Sequence, residues 1–154
     1  MISVIQRVLS SSVTVEGEKV AKSENGLLLL LGVSSADNEE DARMLADKIS
    51  KLRIFCDEND KMNLSVCDMG GTVTVVPNFT LMASYKKGNR PDYMNGAKPE
   101  RANELFEYFC SYIAAIVPNV QRGIFKADMK VELVNDGPVT IVMDSRVLRG
   151  ERDV

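Results

Sequence analysis

The 154-residue chain predicts a single α/β domain with more strands than helices. Two patterns carry that expectation: apolar residues alternate with polar ones at a period of two in several separate stretches, and recur at three- and four-residue spacing in two others. Composition sets the scale. With 45% hydrophobic and 27% charged residues over this length, the chain can bury one core of its own and needs no second domain.

Residues 2–8 and 13–15 alternate as strands, and Glu16-Gly17 makes a turn into a further extended run at 19–22. GLLLLLGV, at 26–33, is apolar without alternation, the pattern of a central strand buried on both faces. Asp37 offers a helix N-cap with Glu40 three residues on, and Ala42, Leu45, Ala46, Ile49 and Leu52 follow at helical spacing. DENDKMN, at 57–63, resembles a calcium loop until its fifth and sixth positions. Those are Lys61 and Met62, and the turn glycine is missing, so the segment reads as an acidic surface turn.

TVTVVPNFTLMA, at 72–83, reads as a strand. Val73, Val75, Phe79, Leu81 and Ala83 then face a core, while Thr72, Thr74, Asn78 and Thr80 share the opposite face. Pro77 inside it implies an edge or a bulge, where sheets expose backbone N–H groups and re-aim side chains. The second helix begins at Pro99 or Glu100, turns Leu105, Phe106, Phe109, Cys110 and Ile113 inward, and ends before Pro118. Two alternating runs, Val131 with Leu133 and Val139 with Ile141 and Met143, flank Asn135-Asp136-Gly137-Pro138 and read as two strands joined by a turn. Pro138 cannot donate a ladder hydrogen bond, and Gly137 has no Cβ to hold a ligand away. A plain trans turn and a cis Gly-Pro step both fit these residues, since X-Pro is where a cis bond is affordable.

The chain has no histidine. That removes Ser-His-Asp and Cys-His nucleophilic catalysis, histidine general bases and most catalytic zinc sites together. Cys56, Cys67 and Cys110 are odd in number and lack CxxC spacing, which gives neither a zinc site nor a disulfide framework. No metal and no cofactor is expected. The longest apolar run, 27–31, is too short for a membrane span, and MISVIQRV lacks the layout of a signal peptide, so the expected location is the cytoplasm, with no membrane partner. Net charge is −3, yet in SYKKGNRPDYMNGAK, 84–98, the cations Lys86, Lys87, Arg90 and Lys98 stand against Asp92 alone, beside Tyr85 and Tyr93. Such a loop can hold a phosphate backbone locally on an acidic protein.

A resemblance now comes into view. IQRV with SSVTVEGE, GLLLLLGV, LRIFCDENDKMNLSV, the GG pair, FTL, KKGNRP, GIFKADMKV and NDGPVT occur in this order and spacing in the D-aminoacyl-tRNA deacylase (D-tyrosyl-tRNA(Tyr) deacylase) family, and the chain resembles it nearly end to end. The resemblance implies residues 1–145 as one deacylase-like domain, with mixed and antiparallel sheets in a barrel-like arrangement, two main helices and a homodimer. It implies hydrolysis of the ester joining a D-amino acid, or glycine, to the terminal adenosine of tRNA, with aminoacylated tRNA as partner. The tail 146–154 lies beyond it, with no role assigned.

By the same resemblance, backbone amides near Phe79 and Thr80 polarise the ester carbonyl, and the Thr80 hydroxyl orients water or the ribose. Phe125 and Met129 match residues of the family's adenosine pocket; Lys86, Lys87 and Arg90 take tRNA phosphates. Gly137-Pro138 enters the partner protomer's site as a backbone chirality filter. The chain departs from the family's Ser-Gln-x-x-Leu, having Pro77-Asn78-Phe79-Thr80-Leu81, which bears on substrate range through Asn78. The proline resembles a related animal branch with altered preference. The competing readings are a non-catalytic RNA-binding module that uses the basic loop, and a general hydrolase of small amino-acid esters.

Overall fold

The computed structural model describes residues 1–151, and in it one long strand, β1 (Ile2–Val15), carries hydrogen-bonded neighbours on both edges. On one edge, residues 2–8 pair antiparallel with β3 (Gly26–Gly32) and residues 11–15 with β2 (Glu18–Ser23). Glu16 and Gly17, at φ 50° and 83°, supply the turn expected between β1 and β2. β3 pairs in parallel with β6 (Thr72–Pro77), and β6 in parallel with β7 (Asn119–Arg122). Because β2 also approaches β6 and β7, the sheet curls into a nearly closed, barrel-like shell. A separate hairpin, β4 (Phe55–Cys56) with β5 (Met62–Leu64), encloses the acidic turn, where Asp57 accepts from the amides of Asn59 and Lys61.

The inner face of the shell buries Val8, Val13, Ala21, Leu28 and Val76. Its outer face carries Ile5, Leu27, Leu29, Leu31, Val73 and Val75 against two helices, α1 (Glu39–Ser50) and α2 (Pro99–Ala114). β3 is therefore buried on both sides, as its unbroken apolar run predicts. β6 is too, and here the structure differs from the sequence reading: Thr74 is fully buried rather than on a solvated polar face. Its hydroxyl lies 3.1 Å from Ser23 and 3.3 Å from Ser11, and those two serines are 2.6 Å apart, so the polar atoms inside the shell satisfy one another.

α2 starts at Pro99 and buries the five residues expected of it. Burial pushes the Cys110 thiol up to about 12, leaving it a neutral packing group. The start of α1 departs from expectation by one residue: Asn38, not Asp37, is the N-cap, and Asp41 completes the capping box by accepting from the Asn38 amide at 2.9 Å. Asp37 is engaged elsewhere, accepting from the Met1 α-amino group at 2.5 Å and from the Ser34 amide at 2.6 Å.

The largest correction concerns the region of Asn135 to Pro138. Instead of two strands and a turn, β8 (Met129–Asp144) is one strand that runs antiparallel along the free edge of β1 from Val15↔Met129 to Ile2↔Asp144. The register slips between Gln6↔Thr140 and Val8↔Asn135, so residues 136–139 bulge out of a continuous ladder. Both halves of β8 have the same partner, and no reversal of the chain is needed.

A third helix, α3 (Ser145–Leu148), was not expected. It turns the tail back onto α1, and Arg149 Nη1 reaches 2.8 Å from Asp41 Oδ1, a carboxylate with 0% exposure. Residues 152–154 of the tail lie outside the described residues. Burial raises the Asp41 carboxyl, but the Ser145 side chain, the Asn38 backbone, the α-amino group and Arg149 together outweigh it and hold the group below its ordinary value. A depressed carboxyl contributes stability that is complete above its unfolded-state value and disappears as pH falls through the folded one. The expected outcome is a urea midpoint that is flat near neutrality and declines as pH drops below about 4. Asp41→Asn should lower the neutral plateau and flatten that decline, as measured by unfolding curves across pH.

Candidate active site

The site is built where β6 ends. Pro77 is still paired, opposite Leu31 of β3, and the Asn78 amide donates to the Leu31 carbonyl at 2.8 Å. Beyond that point the chain leaves the sheet in a 3₁₀ helix, Phe79–Met82, which Asn78 caps. Asn78 Oδ1 accepts from the Thr80 amide at 3.2 Å and from the Thr80 hydroxyl. An asparagine after a proline is well suited to this, because its side chain offers the backbone an alternative to the ladder. Gly32 makes room on β3: a Cβ there would lie 2.8 Å from Leu81 Cβ and 3.1 Å from the Asn78 carbonyl.

This turn corrects the expected strand over 72–83. Phe79 is 64% exposed rather than part of the core, and Thr80 is exposed beside it. Asn78 and Thr80 do come together, through the cap rather than along a strand face. The Thr80 N–H is directed to Asn78 Oδ1; the Phe79 N–H, first in the helix, has no intrahelical acceptor and no side-chain acceptor among the described residues.

Beside the turn lies a cavity of about 600 Å³ at one end of the shell. Pro77, Asn78 and Phe79 form one wall, Phe125, Lys126 and Met129 the other, and Leu30 and Val76 the floor. Four residues singled out from the sequence, Asn78, Phe79, Phe125 and Met129, thus line one space. Gly123 lets the second wall cross close to the first, since a Cβ there would sit 2.6 Å from Met129 Sδ and 3.4 Å from Pro77 Cδ. Asp128 also lines the cavity, but it is exposed and paired with Lys130 at 2.9 Å. Nothing in the lining is a neutral base; it offers a backbone donor and an apolar slot with a cation at its rim, while Thr80, next after Phe79 with its hydroxyl held by Asn78, is not itself among the lining residues.

The basic loop leaves directly from the turn. Ser84 and Asp92 exchange backbone hydrogen bonds of 2.7 and 2.8 Å at its base, leaving Lys86, Lys87 and Arg90 exposed on its arc. Tyr93, just past that base, packs edge-on against Phe79 with centroids 5.2 Å apart, which ties the loop to the mouth of the cavity.

Gly137 and Pro138 are joined by a cis bond and are exposed on the β8 bulge; they do not line the cavity of their own chain. The bulge is held from below by Arg7, a residue the sequence reading passed over. Arg7 is buried, and its guanidinium donates to the Asp136 carbonyl at 3.1 Å and the Ile54 carbonyl at 2.6 Å, with Asp136 Oδ2 also 3.1 Å from Nε. Asn135 closes the base of the bulge, accepting from the Val139 amide at 2.8 Å. The available signal was a cation in register with Ser3 and Ile5 on an otherwise buried face, a placement that demands partners.

Similarity to known proteins falls on these same segments. The family described as D-Tyr-tRNA(Tyr) deacylase matches residues 4–144. A D-aminoacyl-tRNA deacylase of Koribacter versatilis is 55% identical over 146 residues, 95% of this chain and 98% of its own. One from Dictyoglomus turgidum is 48% identical over 152 residues, 99% of this chain and 97% of its own. Among solved structures, one titled c-Myc DNA Unwinding Element Binding Protein superposes with a TM-score of 0.89 at 35% identity, covering 94% of this chain and 98% of that one. A probable eukaryotic D-amino acid tRNA deacylase, 14% identical with a TM-score of 0.81 over 92% of this chain and 97% of its own, shares the fold.

The cap geometry has a direct test. Asn78→Ala removes the acceptor for both Thr80 donors and should lower stability by about 1 kcal/mol, while Asn78→Asp retains most of it, as read from chemical denaturation.

Proposed function

The chain belongs to the D-Tyr-tRNA(Tyr) deacylase family, and we propose that it hydrolyses the ester joining a D-amino acid, or mischarged glycine, to the terminal adenosine of tRNA, a step of chiral proofreading in translation. The observation that carries the site-level reading is the single cavity shared by Asn78, Phe79, Phe125 and Met129 at the end of β6.

Phe125 and Met129 hold the adenine between apolar surfaces, and the ribose then lies toward the capped turn. The Phe79 N–H donates to the ester carbonyl and stabilises the oxyanion that forms when water adds. Thr80, oriented by Asn78, positions that water or the neighbouring ribose hydroxyl. The tetrahedral intermediate collapses by breaking the acyl C–O bond; the ribose oxygen leaves with a proton, giving the free amino acid and an uncharged tRNA end. An aminoacyl ester beside a hydroxyl and a protonated amine is already activated, so positioning and oxyanion stabilisation suffice without a histidine. Thr80 positions rather than attacks, since no base beside it can take its proton. Asn78, a methylene shorter than the family's glutamine, sets the tolerance for glycine and larger substrates.

Selectivity comes from a homodimer in which the Gly137-Pro138 bulge of one protomer enters the other's cavity. Its exposure, its absence from its own cavity and its anchorage by Arg7 support this reading. So does the outer edge of β8, which is unpaired among the described residues and carries exposed Val134 and Val142. With no Cβ at Gly137, main chain can approach the substrate's α-carbon, and an L side chain would meet backbone that no rotamer change can move aside. Lys86, Lys87 and Arg90 take phosphates of the acceptor arm. No helix among the described residues is long and apolar enough to cross a membrane, and the cytoplasm, where tRNA is charged, is the proposed location.

Incubating the purified chain with D-tyrosyl-tRNA, L-tyrosyl-tRNA and D-tyrosine methyl ester should release tyrosine from the first alone. Equal loss of the L-tyrosyl ester would overturn the chiral assignment; turnover of the methyl ester would favour a general esterase, and RNA affinity without any turnover a binding module. Replacing Lys86 and Lys87 together by Ala should raise KM for D-tyrosyl-tRNA and flatten its salt dependence, by about one unit of log–log slope per lost phosphate contact. An unaltered slope would remove the loop from the interface.

A further inference from the structure

A second cavity, of about 450 Å³, lies behind the wall that carries Phe125 and Lys126 and shares both residues with the first. Pro99 and Ile124, the latter 47% exposed, give it apolar sides, and Asn103 and Glu100 of α2 supply polar groups. Asn103 is half-buried, yet its amide has no hydrogen-bond partner among the described residues. Glu107, on the same rim, is committed to Arg122. Lys126, at φ 65°, stands on the ridge between the two cavities, exposed and without an ion pair among the described residues.

We propose that this second cavity is a subsite for the nucleotide preceding the terminal adenosine, a cytidine in every tRNA, with Lys126 on the phosphate that links the two. The inference rests on the deacylase reading, because it takes its direction from an adenosine bound between Phe125 and Met129. Continuity is the first argument: a strand whose last base occupies one cavity must pass over the shared ridge, and the free cation sits there. The chemistry of the walls is the second. A base needs an apolar face to pack on, which Ile124, Pro99 and the far side of Phe125 provide. A cytosine edge presents an amine donor beside acceptors; Glu100 matches the amine, and the Asn103 amide can donate and accept at once. Sequence-independent contact through the basic loop would hold the tRNA body, whereas this subsite reads the invariant end.

Truncated substrates separate the contributions. With the full chain, kcat/KM is measured for the D-tyrosyl esters of adenosine, of adenosine 5′-phosphate and of cytidylyl-(3′→5′)-adenosine. The phosphate should raise it several-fold and the cytidine about tenfold more, the scale of one packed base. Asn103→Ala and Ile124→Ser should remove most of the cytidine increment while keeping the phosphate increment; Lys126→Ala should remove the phosphate increment, and Lys126→Arg restore it. Thermal midpoints of the variants identify any that fail to fold, and the ratio between substrates on one enzyme is insensitive to the active fraction. A wild type that handles the dinucleotide no better than adenosine 5′-phosphate overturns the subsite, as does a cytidine increment that survives both the Asn103 and the Ile124 substitution. Absence of turnover on all three esters and on D-tyrosyl-tRNA would instead sink the deacylase reading, and the subsite with it.

Discussion

β1 is asked to satisfy three strands at once, and most of the molecule follows from how it does so. One edge is divided between β3 and β2, while the other is occupied along its length by β8. A strand that hands one neighbour over to another midway cannot stay in a flat sheet, and the curl that results brings β2 toward β6 and closes the shell. The same strand must absorb a register mismatch with β8, and it does so at Arg7, where the guanidinium replaces ladder bonds with bonds to Asp136 and Ile54. Removing that one side chain would leave the Asp136 and Ile54 carbonyls without their donor and the bulge without a floor.

The candidate site holds little reactive machinery. Its polar groups are a backbone N–H, an asparagine that spends its side-chain carbonyl on Thr80, and a hydroxyl held by that contact. Each is positioned by packing that lies outside the cavity: Gly32 lets the turn close on β3, and Gly123 lets the opposite wall approach Pro77. Under the cavity, Val76 is buried with Leu28 inside the shell and Leu30 packs against that cluster, so the floor is part of the packed interior.

Charge is distributed to suit the same task. The chain is acidic overall, at −3, and its buried ion pairs are placed away from the cavity, between the tail, α1 and the amino terminus. The cations of residues 86–90 project from a loop fastened to Phe79 through Tyr93. An acidic body with a local basic arm limits non-specific attraction to nucleic acid while leaving a patch of positive potential beside the mouth of the cavity.

What the sequence determined by itself was whatever depends on near neighbours. A period of two, a period near four and an unbroken apolar run identified β1, β2, β6, both long helices and the doubly buried β3, but not β4, β5 or β7, and the absence of histidine bounded the chemistry. The family resemblance also pointed to Asn78, Phe79, Phe125 and Met129, although nothing local says that 77–79 and 125–129 face each other across a cavity. Tertiary structure decided the rest, because competition for partners is not local. Asn38 rather than Asp37 caps α1 because the Asp37 carboxylate is taken by the Met1 amine and the Ser34 amide. The run at 131–143 is one strand because β1, more than a hundred residues earlier in the chain, offers one unbroken edge. Strand 72–83 breaks at Asn78 because Gly32 on a neighbouring strand leaves room for the turn, and Arg7 becomes the anchor of Gly137-Pro138 only once β8 lies against it. Periodicity reports which face of an element is buried; which donor meets which acceptor is settled by the ladder that folding assembles.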